Sequence, residues 1–414
     1  MLALEKRCFI EVLGLRYRRA RKKAKGRVLD ELCERLGVTR KWGIRLLSAR
    51  GAGRPRKPDK RGRPPEYHGG EFIQALRLVW KKTRYMCGRY LVSAMPDWLP
   101  FIEEERGAFS PETRRQLLGI SAATIDRRLK PYKAVKGKSF TRSGGFREQI
   151  PIQQSSWDIR QPGFAEVDTV AHCGGSMHGD FVNSLTLVDI ATIWTEVRSI
   201  FGRGASGVIE QLSAIEEALP FEMLGYDADN GTEVLNQFIL DYYQADRIKK
   251  GLPSVQVTRS RAYQKNDNAY VEQRNDCLPR QYLGYERIGY PEPLPLLNYY
   301  WGDIVCPLRN HFYPALKLKD KVRIKSRTRR VYDAPITPYK RVMESEYVPE
   351  ERKRILEEIH RQLNPVTLVR QEAMIRSRID AALKKLRAGV DASALLVVPQ
   401  TGINEDFKRT GTFG

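Results

Sequence analysis

Residues 164–199, FAEVDTVAHCGGSMHGDFVNSLTLVDIATIWTEVRS, hold three short β-rich runs separated by Gly-containing or polar turns. Runs this short and closely spaced pair with one another as an antiparallel meander, which commits the middle of the chain to a sheet. Alternation along FAEVDTV puts Val167 and Asp168 on opposite faces of its strand. Helical GVIEQLSAIEEAL follows, then strand-like FEMLGYD, a tight turn at Asp229-Asn230-Gly231, and helical VLNQFILDYYQ. A meander followed by alternating helix and strand predicts an α/β unit, a mixed sheet flanked by helices.

The remainder of the 414 residues is long enough for two to four folded units at roughly 100–200 residues each. Net charge is +23 and very unevenly spread: +22 over residues 1–150, −8 over 151–310 and +9 beyond. An acidic centre between basic arms is the pattern of a reaction centre carried by polyanion-binding flanks, since each phosphate neutralised releases counterions and adds affinity regardless of sequence. No run of 18 apolar residues and no signal-peptide stretch is present, so neither a membrane partner nor export from the cytoplasm is expected. The six cysteines form no CxxC pair, and His172 and His178 lack the further donors that zinc requires.

In the N-terminal arm, Leu29, Leu32, Cys33 and Leu36 form a helical stripe that breaks at Gly37, and Thr39 can cap a second short helix. This is a helix-turn-helix pattern, with Ile44 and Leu47 facing the first helix and Arg40, Lys41 and Arg45 left for a DNA groove. Next comes GAGRPRKPDKRGRPPEY, an extended linker whose Arg54, Arg56, Arg61 and Arg63 must stay solvated. It resembles AT-hook segments that lie in a narrow minor groove; a linker gripping phosphates without sequence preference is equally consistent. Around SPETRRQLLGISAATIDRRLKPYK the helix-turn-helix logic repeats more cleanly. Pro111 opens one helix, Ser121 caps the next, Ile125 and Leu129 face inward, and Arg127, Arg128 and Lys130 point away.

The third acidic stretch, TRSRAYQKNDNAYVEQRN, predicts a helix beginning near Asn268 with Glu272 one turn inside it. Pro279 should kink or end that helix. Three carboxylates, Asp168, Asp229 and Glu272, supply only hard oxygen ligands, the set that holds two Mg²⁺ or Mn²⁺ ions for phosphoryl transfer. Asp227 stands two residues before Asp229 on the same strand face and is its alternative; Asp229 is preferred because it heads the turn.

VDTV around Asp168, DNGTE around Asp229 and NDNAYVEQRN around Glu272 together resemble the catalytic core of retroviral-integrase-type DDE transposases, notably bacterial insertion-sequence enzymes. The resemblance runs through residues 160–345, and ALKLKDKVRIKSRTRRVYDAPITPYKRVMES resembles the basic segment that follows the core in some of them. One departure is spacing: 42 residues separate Asp229 from Glu272, more than in the retroviral pattern. The resemblance implies an RNase H-like mixed five-stranded sheet, double-stranded DNA (element ends and target) as partner, a homo-oligomer on that DNA, and a bacterial, nucleoid-associated setting. The implied activity is metal-dependent 3′-end cleavage followed by strand transfer. Arg259, Arg261 and Lys265 would hold phosphates beside Glu272 on charge and position alone. The competing reading is a DNA-binding protein that retains the fold without turnover.

The expected organisation is a helix-turn-helix unit (1–52), a basic linker (53–66), a second helical unit (67–135), a linker (136–155), the catalytic core (156–314), a basic extended or small β segment (315–345), C-terminal helices (346–386) and a tail (387–414) without assignable pattern. Ile355, Ile359 and Leu363 mark a packing seam on the C-terminal helices, open to self-association.

Overall fold

A computed structural model describes residues 3–48, 66–133, 159–202, 204–228, 237–249, 251–259, 269–324 and 327–399. The chain divides into two compact units, Met1–Pro65 and Glu66–Gly414.

The first unit is three helices, α1 (Ala3–Arg19), α2 (Lys22–Leu36) and α3 (Arg40–Ser48). The stripe reading located α2 and α3 but not α1, whose Leu13 joins Val28, Leu29, Leu32 and Leu47 in the core. Gly37, at φ +63°, ends α2 and donates its N–H to the Cys33 carbonyl. Ile44 does not face α2 as expected; it is exposed, and Gly43 takes the inward place. A Cβ on Gly43 would stand 2.9 Å from Leu29 Cδ1 and 3.2 Å from Leu32 Cδ2. The two helices therefore cross too closely for a side chain there, and the glycine's helix penalty is the condition for that approach.

The second unit begins with α4 (Gly70–Lys82), α5 (Gly88–Arg106), α6 (Pro111–Gly119) and α7 (Ala122–Leu129). Ser110 and Ser121 cap α6 and α7 by accepting from the Thr113 and Thr124 amides, and Ile125 and Leu129 are buried. Beyond them lie β1 (Phe164–Ala171), β2 (Val182–Asp189), β3 (Thr195–Phe201), α8 (Ala205–Ala218), β4 (Gly225–Ala228), α9 (237–249) and β5 (Gln256–Arg259). The strand order is β3-β2-β1-β4-β5. β1, β2 and β3 pair antiparallel, whereas β4 runs parallel to both β1 and β5. This is the expected mixed five-stranded, RNase H-like sheet; β5 is the strand that local pattern did not reveal.

Helices cover both faces of the sheet. Val208, Leu212 and Ile215 of α8 and Tyr243 of α9 pack on Val167, Leu185 and Tyr226. Two further helices, α10 (269–283) and α11 (294–312), cluster with Val182 and Val197. The same cluster takes in α4, α5, α6 and α7, and Trp98 Nε1 donates to the Phe312 carbonyl at 3.0 Å, so the helical segment rests directly on the core.

After α11 come β6 (Leu318–Ile324) and β7 (Arg327–Tyr332), an antiparallel two-stranded ribbon with Lys321 opposite Arg330 and Arg323 opposite Thr328. Then follow α12 (Pro338–Glu344), α13 (Glu350–Gln362) and α14 (Pro365–Arg387). Asn364 caps α14 by accepting from the Val366 and Thr367 amides. Of the expected seam, Leu363 is buried and Ile359 packs on the same core cluster, whereas Ile355 is half-buried and its neighbour Leu356 is the residue that enters the core on the α8 side. The start of the tail has structure too. Residues Ser393–Leu396 form a helical turn, and the Arg378 guanidinium donates to the Leu395 and Val397 carbonyls.

Candidate active site

Glu166 and Asp168 lie two apart on β1 and so share one of its faces. Asp168 is half-buried; its Oδ1 accepts the Thr169 amide at 2.7 Å. β4 pairs alongside with Asp227 opposite Glu166 and Ala228 opposite Val167. The described part of β4 thus ends level with the residue before Asp168, and Asp229 is the next residue in the chain. Asp227 is buried and accepts the Thr258 hydroxyl of β5 at 2.6 Å, which gives it a structural partner inside the sheet.

The helix bearing Glu272 is held against this face. It starts at Ala269, one residue beyond the predicted start. Glu166 Oε2 accepts the backbone amides of Tyr270 and Val271, both at 2.9 Å. One turn on, Asn275 Nδ2 donates to Asp168 Oδ2 at 2.6 Å. Asn275 is three residues beyond Glu272, the spacing that puts two side chains on one helix face. Asp168 and the stretch of backbone carrying Glu272 are therefore brought together. Pro279 does not end the helix: a π-helical stretch, Asp276–Arg280, absorbs it, and α-helix resumes over Gln281–Leu283. Widening the turn removes the need for the amide that proline lacks.

Desolvation and neighbouring arginines act on the titratable groups beside these carboxylates. Burial, then the neighbouring Arg309 charge, pushes the Arg274 guanidinium down to about 10. Tyr270 is raised by burial and by the Glu166 charge. His172, four residues past Asp168, is lowered to about 4 by burial, with Arg280 and Arg376 adding to the effect. Its Nε2 shares a 2.8 Å hydrogen bond with the Ser184 hydroxyl. Arg280 Nη1 reaches the Ala171 carbonyl at 3.4 Å, tying α10 to the end of β1.

Asp229, Arg54, Arg56, Arg61, Arg63, Arg261 and Lys265 lie outside the described residues, and of Glu272 and Arg259 only the backbone is described. Among the described residues no cluster of three His, Cys, Asp or Glu side chains stands ready to hold a metal ion. On α3, Lys41 and Arg45 are exposed, while Arg40, also exposed, pairs with Asp30 of α2. On α7, Arg127 donates to the Ala123 carbonyl and the Thr124 hydroxyl, and Arg128 is half-buried; Lys130, just beyond, is exposed. Glu166 and Asn275 are the site residues that sequence reading missed. Their signals were Glu166 at strand period from Asp168 and Asn275 at helical spacing from Glu272. A cavity of about 600 Å³ between α8 and α9, with Glu210, Glu217 and Asp246 in its lining, contains none of these residues. No helix among the described residues is long and apolar enough to cross a membrane.

No protein-family model matches the chain. It is 35% identical over 344 residues to "Uncharacterized protein y4rM" of Sinorhizobium fredii (strain NBRC 101917 / NGR234), covering 80% of this chain and 93% of that protein. The chain belongs to the y4rM family. Among solved structures, this y4rM-family chain is similar to the catalytic core domain of BIV integrase, with 18% identity and a TM-score of 0.22 over 30% of this chain and 72% of that one. It is also similar to a chain of the simian T-cell lymphotropic virus intasome in complex with PP2A regulatory subunit B56 gamma, with 14% identity and a TM-score of 0.26 over 44% and 59% of the two chains.

Proposed function

We propose that the protein is a transposase of the DDE type, which binds the ends of a mobile DNA element, cleaves at their 3′ ends and joins them to target DNA. The observation that carries this reading is the 2.6 Å hydrogen bond from Asn275 to Asp168, because it holds a carboxylate of the central strand against the helix turn that bears Glu272. Asp229 follows directly on β4, whose last described residue is level with Val167.

Asp168, Asp229 and Glu272 are the residues that would hold Mg²⁺ or Mn²⁺. The fit is chemical: Asp168 is a half-buried carboxylate at the heart of the site, and carboxylate oxygens are the donors that hard divalent cations prefer. Two such ions would supply activation of the attacking oxygen and charge stabilisation at the leaving oxygen. The chain's own contribution is orientation. Thr169 and Asn275 each donate to one oxygen of Asp168 and so fix the plane of its carboxylate. Exposed Lys41 and Arg45 of α3, with the basic stretch that includes Arg54, Arg56, Arg61 and Arg63, would take DNA phosphates and grooves. Arg127, Arg128 and Lys130 would extend that contact, and Arg259, Arg261 and Lys265 would hold phosphate near Glu272. Several copies acting together on paired DNA ends complete the reading.

The test incubates purified protein with labelled duplexes carrying the sequences that flank its coding region, a supercoiled plasmid, and either Mg²⁺ or EDTA. Joined products only with metal are expected. Asp168→Asn, Asp229→Asn and Glu272→Gln should each abolish joining while duplex binding persists. Binding without joining by the unaltered protein would favour a DNA-binding protein that keeps the fold but not turnover.

A further inference from the structure

We infer that Glu166 is a positioning residue: its carboxylate fixes the start of α10 and thereby sets where Glu272 stands relative to Asp168. This rests on the reading of Asp168 and Glu272 as members of one catalytic set.

Glu166 is 4% exposed and lies on the Asp168 face of β1. One of its oxygens accepts both the Tyr270 and the Val271 amides at 2.9 Å. Those amides belong to the first turn of α10, where backbone donors have no acceptor within the helix. A carboxylate there also meets the positive end of the helix dipole, and bonds to an ionised acceptor are the stronger kind. The cap reaches the helix from a strand 104 residues earlier in the chain, so capping and docking are a single interaction. The second grip is Asn275 on Asp168, 107 residues apart.

Glu272 lies between these two grips. Residues 270 and 271 precede it and residue 275 follows it, and both contacts run to the same face of the same strand. Sliding the helix along its axis or turning it about that axis would break one contact or the other. The Glu272 backbone is thus referenced to Asp168 through two side chains of β1. Glu166 does this by holding backbone and acts on the chemistry only through α10.

Full-length Glu166→Gln and Glu166→Ala test the assignment. Gln keeps an acceptor for the two amides without the charge; Ala removes it. In metal-free protein without DNA, hydrogen exchange at the Tyr270 and Val271 amides should speed up by about tenfold or more in E166A, the worth of a typical hydrogen bond, and by clearly less in E166Q, which keeps the acceptor without its charge. The Mn²⁺ concentration giving half-maximal DNA joining should rise in E166A and be largely restored in E166Q. Unchanged exchange in E166A overturns the proposal, as does an unchanged Mn²⁺ midpoint once the amides have opened. An E166Q that joins as poorly as E166A while keeping its amides protected would mean that the charge itself acts, which also overturns it. If E166A does not fold, Glu166→Asp, one methylene short of the amides, is read by the same exchange measurement. Absence of joining by the unaltered protein would sink the transposase reading alone, because the exchange experiment still decides whether Glu166 holds the helix.

Discussion

Asn275→Asp sets two carboxylates against each other where one amide now donates to Asp168 at 2.6 Å. The reference is Asn275→Ala, which only removes the donor. Losing a hydrogen bond to a charged group costs about 1.5–3 kcal/mol. The Asp variant loses the same bond and adds repulsion, about 4 kcal/mol for unit charges 4 Å apart at an effective dielectric constant near 20. One member of the pair then has a folded-state pKa raised above its value of about 4 in the unfolded chain. The folded variant holds a proton that the unfolded chain has released, so its stability is greatest at low pH and falls as pH rises through that raised pKa. Urea unfolding followed by tryptophan emission, at pH 5 and pH 8 in EDTA, reads both effects. The Asp variant should match or exceed the Ala variant at pH 5 and be clearly less stable at pH 8. Adding Ca²⁺ at pH 8 should recover part of the loss, since a cation between the carboxylates replaces the proton. An Asp variant as stable as the Ala variant at pH 8 in EDTA would show that residue 275 is not against Asp168, and the site geometry would fall with it.

Gly163→Ala should destabilise the second unit by about 3 kcal/mol or more, because overpacking against rigid backbone adds to strain at a positive φ. Gly163 has φ +112°, and a Cβ there would stand 2.3 Å from the Glu222 carbonyl oxygen; unfolding midpoints check it. His172, lowered to about 4 by burial, contributes stability that is fully present above its unfolded value and lost as pH falls from about 6.5 to about 4. The size is about 3 kcal/mol, and His172→Gln should flatten the fall in stability across that window. Lys41→Ala with Arg45→Ala should weaken duplex binding and reduce the slope of log affinity against log salt by about 2, at roughly 0.9 per phosphate contact. An unchanged slope would remove α3 from the DNA interface.

Local chemistry was legible wherever a residue acts on its neighbours in the chain. Ser110, Ser121 and Asn364 cap helices because the amides they accept from lie two or three residues away. The meander was legible because β1, β2 and β3 pair in sequence order across short turns. β5 was not, since a four-residue strand supported by a parallel neighbour carries little periodicity of its own. The inward place of Gly43 and the π-helical passage through Pro279 were also hidden. Each depends on what another segment brings alongside, not on local propensity.

The amino-acid order by itself determined which carboxylates were candidates, where the positive charge lies, and that a mixed sheet would form the centre. Only tertiary structure decided that Glu166 and Asn275 belong with Asp168. The partners in those contacts are 104 and 107 residues apart, and no local preference encodes which strand face meets which helix turn. That meeting is set by burial of both sheet faces, which drives α10 onto β1 and leaves the polar groups between them to satisfy one another.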